Sequence, residues 1–173
     1  LCFISQDNYY LDRELQAIDA QGEINFDLPT AIEEKTLVED VKRLVAGKRV
    51  TRREYTFNNP DADPKIITVN PAKVIVVEGL FVFHFSELSQ MCDLRVFIEA
   101  RDDIKLGRRL RRDAIERGYD EKDVRYRWKN HVKPCFEKYL LPYKDQTHIV
   151  LVNNHSYQKG LEVFCDHIRK VLD

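Results

Sequence analysis

Two carboxylates stand just beyond apolar runs: Asp7 follows "LCFIS" and Glu78 follows "VIVV". Short unbroken apolar runs read as strands covered on both faces, as in parallel sheets. In open α/β sheets, ligands bind outside the carboxyl ends of the strands. A carboxylate at such a place needs a partner, because burying an unpaired charge is costly. A magnesium ion bridging phosphate oxygens is one such partner. A substrate hydroxyl awaiting deprotonation is another. The bland alternative is that each acid caps the next turn or pairs with an arginine, and two acids at equivalent strand ends weigh against it.

A second candidate is cationic. Arg101, Lys105, Arg108, Arg109, Arg111, Arg112 and Arg117 crowd in and around "IKLGRRLRRDAIERG", and no acid occurs between Ile104 and Arg112. Like charges on neighbouring helical turns repel. Arginine forks match phosphate oxygens in geometry. The run therefore reads either as a phosphate clamp or as a solvated helix face. Tyr9, Tyr10, Phe26 and Tyr55 fall in loops or near a hairpin. Aromatics there either stack on a planar ligand or simply pack.

These groups need elements to hold them. Strands are expected at Leu1 to Ser5, Val50 to Phe57, Lys65 to Val69, within "KVIVVEGLFVF", in "DLRVFIEA" and in "HIVLVN". The segment from Asp12 to Phe26 reads as loop with at most a short helix. Thr30 and Glu33 fit a capping box, followed by Leu37, Val38, Val41, Leu44 and Val45 on one helical face and a stop at Gly47. The turn-rich "NNPDADP" makes residues 50 to 70 a hairpin. Asp102 is expected to cap a basic helix ending near Arg117. Val124, Trp128, Val132, Cys135, Phe136, Tyr139 and Leu140 mark a longer helix kinked at Pro134. Leu161, Phe164, Ile168 and Leu172 mark a closing one. Strands alternating with helices predict an α/β fold with a mostly parallel sheet.

Composition sets bounds. At 173 residues the chain fits one domain, 1–173, with 43% hydrophobic and 33% charged residues. A net charge of -1 gives no whole-protein field for nucleic acid or membrane. No apolar run approaches a membrane span, and the first residues do not resemble a signal peptide. Cys2, Cys92, Cys135 and Cys165 are far apart, with no C-x-x-C pair. That spacing suits reduced thiols and a cytoplasmic location. The histidines show no zinc spacing.

The ordered set "ISQDNYY", "NFDLP", "REYTF", "NPAKVIVVEGLFVF", "LRVFIEARDD", "RRLRRDAIERG" and "VKPCFEKYLLPYKD" resembles the uridine–cytidine kinase family. These are P-loop nucleoside kinases of the phosphoribulokinase/uridine kinase superfamily. The resemblance implies a P-loop NTPase-type parallel sheet flanked by helices, with the hairpin at about 50–70 and an Arg-rich lid at about 102–120. It implies ATP (or GTP) and Mg2+ as cofactors, and phosphorylation of the 5′-hydroxyl of uridine or cytidine. By that resemblance Asp7 is the base that receives the hydroxyl proton, and Asp7 and Glu78 hold the metal. Asp27 binds the sugar hydroxyls with Arg109 beside it. Tyr10, Phe26 and Tyr55 line the nucleoside pocket, and Arg112 and Arg117 belong to the lid over the phosphates. Nucleosides and nucleotides are the expected ligands, with no nucleic acid or membrane partner. A homo-oligomer is a family tendency, and the helix from Val124 to Leu140 reads equally as an interface or as core.

Two departures stand out. The family's phosphate loop, of type G-x-x-x-x-G-K-S/T, precedes the strand that begins here, and these residues contain no such motif. "AGKR" at Ala46 to Arg49 lacks the upstream glycine and follows a helix. The expectation is an N-terminally incomplete piece of a longer chain, with a shortened, non-catalytic nucleoside-binding paralogue as the alternative. The second departure concerns specificity. Pro60, beside Asn58 and Asn59, stands where a base-reading histidine is expected. Tyr119 and Arg127 stand where further polar readers are expected, and Leu28 replaces the histidine of "FDHP". A site built to hydrogen-bond a base rejects analogues strongly, so these changes bear on the acceptor. Another small hydroxyl compound is the alternative substrate.

Overall fold

Short apolar strands satisfy their backbone groups only by pairing, and the chain pairs the strand that leads into Asp7 with the strand that ends in Glu78. The computed structural model describes residues 1–57, 62–116 and 118–172. They gather into two compact units, Leu1–Cys92 and Asp93–Asp173.

The first unit runs β1 (Cys2–Ser5), β2 (Ala17–Ile18), β3 (Ile24–Asn25), α1 (Glu34–Val45), β4 (Val50–Arg53), β5 (Ile66–Val69), β6 (Ile75–Glu78) and α2 (Ser86–Gln90). β1 and β6 are parallel, with Cys2 opposite Ile75 and Ser5 opposite Glu78. β4 and β5 form the expected antiparallel hairpin, Val50 opposite Val69 and Arg53 opposite Ile66. β2 and β3 form a small ribbon inside the segment that reads as loop. Its two-residue strands are too short to show a period.

α1 buries Leu37, Val38, Val41 and Leu44, the expected face, while Val45 is exposed. Each such burial contributes about 2 kcal/mol. Gly47, at φ +74°, ends the helix. Its N–H donates to the Leu44 carbonyl at 3.0 Å and Lys48 N–H to the Arg43 carbonyl at 2.8 Å, the paired closure that a left-handed residue allows. The capping box does not form. Pro29–Ala31 makes a single 3-10 turn, and Glu33 occupies the N-cap position without a side-chain cap bond.

The ends of β1 and β6 interlock. Gln6 is 0% exposed, and its Oε1 accepts from Phe81 N–H at 2.8 Å. Gly79 backs directly onto it. A Cβ at Gly79 would overlap Gln6 Cβ and sit 2.7 Å from its Cδ and Oε1. Phe81, Val82, Phe85 and Leu88 are buried just beyond.

The second unit runs β7 (Val96–Glu99), α3 (Asp102–Glu116), α4 (Glu121–Arg127), α5 (Lys133–Cys135), β8 (Ile149–Val152) and α6 (Gln158–Leu172). β7 and β8 are parallel, Val96 opposite Ile149 and Glu99 opposite Val152. Asp102 lies inside the first turn of α3, not at its cap, and pairs with Lys105 at 2.7 Å. The predicted kinked helix is instead α4 and α5 joined and followed by π-helical turns at Trp128–Val132 and Phe136–Leu140. Within it Val124, His131 and Cys135 are buried. α6 is amphipathic in sequence, yet none of its described residues is fully buried. Among the described residues, no helix is long and apolar enough to cross a membrane. The chain is thus α/β, with parallel strands and flanking helices.

Gly79→Ala is expected to destabilise the fold by about 1–3 kcal/mol through overpacking against Gln6. Gly107→Ala, where nothing lies within 4 Å, should instead be neutral or stabilising by up to about 1 kcal/mol. Urea midpoints of the two variants check the contrast.

Candidate active site

Parallel pairing carries both acids to the same end of one strand pair. Ser5 is the register partner of Glu78, and Asp7 follows two residues later in a 3-10 turn, Gln6–Tyr9. Ser5 Oγ caps that turn by accepting from Asp7 N–H at 3.2 Å. Asp7 is half-buried and Glu78 exposed. Among the described residues, no cluster of three or more His, Cys, Asp or Glu forms a metal cage. Magnesium takes only one or two protein carboxylates and completes its shell with water and phosphate. A pair of hard oxygen donors at adjacent strand ends suits it.

The predicted pocket aromatics meet in the same unit. Tyr10 stacks on Tyr55 with centroids 5.1 Å apart and planes 30° from parallel. Phe26 meets Tyr10 edge-on at 6.4 Å. Phe57, which sequence reasoning passed over, joins them at 5.2 Å from Tyr55 and 6.4 Å from Tyr10. Its φ of +54° is uncommon for a non-glycine residue, and the strand expected to reach it ends earlier, at Arg53. Tyr10 and Tyr55 already touch, so a planar ligand meets their edges or outer faces. Asp27 follows Phe26 directly, and its N–H donates to Asn25 Oδ1 at 2.9 Å.

Tyr9 points the other way, into the core, 2% exposed. Its hydroxyl donates to Asp40 Oδ2 on α1 at 2.9 Å. Burial first, then the bond to Asp40, push its pKa far above the ordinary tyrosine value. Tyr9 is a structural anchor for the Asp7 turn.

In the second unit, α3 answers the repulsion among its arginines with an acid just past the run. Asp113, 2% exposed, pairs with Arg109 Nε at 3.2 Å and an Arg112 terminal nitrogen at 2.8 Å. Arg108 donates to Asn153 Oδ1 at 3.3 Å, and Arg101 pairs with Asp103 at 2.9 Å. The local acids thus neutralise far more of the run than the stretch from Ile104 to Arg112 suggests. Arg112 keeps 44% of its side chain exposed, so it can still reach an anion. The Arg127 guanidinium lies 5.7 Å over the Tyr119 ring, so the two departures from the expected base readers engage each other. Arg117 and Pro60, with Asn58 and Asn59, lie outside the described residues.

Compared with known proteins, residues 2–157 match the model of the Phosphoribulokinase / Uridine kinase family. The chain is 31% identical over 166 residues to uridine-cytidine kinase A of Dictyostelium discoideum, covering 96% of this chain and 33% of that protein. It is 28% identical to uridine-cytidine kinase 2-B of Danio rerio, covering 98% and 66%. It is 27% identical to a uridine kinase of Ligilactobacillus salivarius, covering 99% and 81%. The chain therefore spans a third of the first relative and just under two thirds of the second. A solved structure described as a possible uridine kinase from Bacillus stearothermophilus shares the fold. Its TM-score is 0.54 at 16% identity, over 86% of this chain and 70% of that one.

Asp113→Asn should destabilise the protein by about 1–3 kcal/mol, less than a fully buried pair would cost because Arg112 is half-exposed. Loss of helical circular dichroism at a lower temperature checks it. Tyr9→Phe should cost about 1–2 kcal/mol at pH 7. A folded-state pKa raised above the unfolded one stabilises below the unfolded value, about 10, and that contribution fades as pH climbs further. The gap between wild type and Tyr9→Phe should accordingly narrow above about pH 10, and a constant gap from pH 8 to 11 would contradict this.

Proposed function

Because the chain belongs to the phosphoribulokinase/uridine kinase family, we propose that it transfers the γ-phosphoryl group of ATP (or GTP) to the 5′-hydroxyl of uridine or cytidine. The observation that carries this reading is the register placing Ser5 opposite Glu78, which sets Asp7 and Glu78 at neighbouring strand ends. Asp7 accepts the hydroxyl proton as the oxygen attacks phosphorus, and the nucleoside diphosphate departs with the electrons of the broken bond. Asp7 and Glu78 would hold a magnesium ion. That ion, when bound, neutralises charge on the phosphates. Phosphoryl transfer asks a protein mainly for positioning and charge neutralisation. Tyr10, Phe26 and Tyr55 supply aromatic surface for the nucleoside, and Asp27 accepts from the sugar hydroxyls. Arg109 is assigned to the sugar as well, and Arg112 and Arg117 to the phosphates.

The Arg127–Tyr119 contact at 5.7 Å supports a second reading of the acceptor. Engaged with each other, these side chains differ from the polar base readers of the family pattern, and the alternative acceptor is a different nucleoside or a sugar phosphate. A thermal-shift screen separates the two, since a specific shift with uridine or cytidine alone removes the second.

In the full-length protein, Asp7→Asn should lower kcat by about 10²–10⁴-fold and leave ATP affinity within about twofold. Steady-state transfer assays together with ATP titration measure both. Full activity in the variant would remove Asp7 from its role.

A further inference from the structure

Arg52 holds three segments of the first unit at once. It lies on β4, where a charged residue in a short hairpin strand reads as ordinary surface. Its Nε–H donates to the Asn8 carbonyl at 2.5 Å. A terminal N–H donates to Glu33 Oε2 at 2.5 Å. The guanidinium carbon sits 3.9 Å from the centroid of the Tyr9 ring, over its face. Glu33 in turn is fixed to the same turn, its N–H donating to the Tyr9 carbonyl at 2.8 Å.

Asn8 is therefore gripped twice by the hairpin. Arg52 takes its main-chain oxygen, and Tyr55 N–H donates to its side-chain Oδ1 at 3.1 Å. Asn8 and Tyr9 are flanked by Asp7 and Tyr10. Both the carboxylate and the ring that stacks on Tyr55 hang from the clamped pair of residues. An ion pair this exposed, with side chains 23% and 37% accessible, contributes little stability alone. Its placement matters more, because the planar fork of arginine can bond two acceptors while lying flat on a ring. A lysine ammonium has no such geometry.

We propose that Arg52 is a positioning residue for the acceptor: it locks the Asp7 turn to the hairpin bearing Tyr55, fixing the spacing between the carboxylate and the aromatic cluster. This rests on the nucleoside kinase reading above. A misplacement of about 1 Å can cost about 10²-fold in rate, so a clamp on the turn itself bears directly on transfer.

The test compares wild type, Arg52→Ala and Arg52→Lys in the full-length protein, with uridine and ATP as substrates. Arg52→Ala should raise the uridine KM by about tenfold or more and leave the ATP KM within about twofold. Arg52→Lys keeps the charge beside Glu33 and should recover thermal stability, yet leave most of the KM defect. If Arg52→Ala fails to fold, Arg52→Lys carries the kinetic test. Unchanged kcat and unchanged uridine KM, in enzyme whose active fraction is counted by titration, would overturn the proposal. Hydrogen exchange gives a readout independent of turnover. Amides of residues 6–10 and of Tyr55 should exchange about tenfold faster in the variants, while those of α1 keep their protection. Unchanged exchange would overturn the clamp. Faster exchange in a protein whose wild type phosphorylates no nucleoside would support the clamp and overturn the reaction assigned to the site.

Discussion

Parallel strands cannot be joined by a tight turn, and a long stretch of chain must return to the starting end before pairing resumes. Between β1 and β6 that stretch holds the β2–β3 ribbon, α1 and the β4–β5 hairpin. When Ser5 settles opposite Glu78, everything in the crossover is bound to a single register. A slip by one residue would turn the side chains of β6 to the opposite face and move Glu78 away from the Asp7 turn. Gln6 guards against this slip. Its side chain fits only where Gly79 leaves room, and its oxygen is taken by the Phe81 amide.

Charge is handled in two ways, one in each unit. On α3 a single buried acid, Asp113, gathers Arg109 and Arg112. It offsets their mutual repulsion while leaving part of Arg112 in water. In the first unit the arrangement is reversed, with one cation, Arg52, serving a carbonyl, a carboxylate and a ring. The first device keeps a basic helix intact. The second joins pieces of chain far apart in sequence.

What could be read beforehand follows from range. The face Leu37, Val38, Val41 and Leu44 is periodic and local, and α1 forms where the pattern puts it. The strands bearing Asp7 and Glu78 announce themselves as unbroken apolar runs. Their adjacency is a long-range fact that an expected parallel sheet suggests without fixing. The capping box at Thr30 fails because Pro29 starts a 3-10 turn and because Glu33 is drawn to Arg52, a partner no local rule reveals. Asp113 escaped notice by standing one residue past the basic run. Phe57 could have been found from its spacing two residues beyond Tyr55, but a strand reading places those two rings on one face without the turned backbone that actually brings them together.

The π-helical turns at Trp128–Val132 and Phe136–Leu140 have a consequence for how related chains align. A π turn takes up one residue more than the α turn it replaces, so it works as an insertion absorbed inside a helix. The apolar phase shifts at each turn. A chain shortened by one residue at either turn would return to ordinary winding with its flanking surfaces still in step. A gap of a single position at either place in a related chain would therefore mark an interchangeable helical geometry, not lost structure.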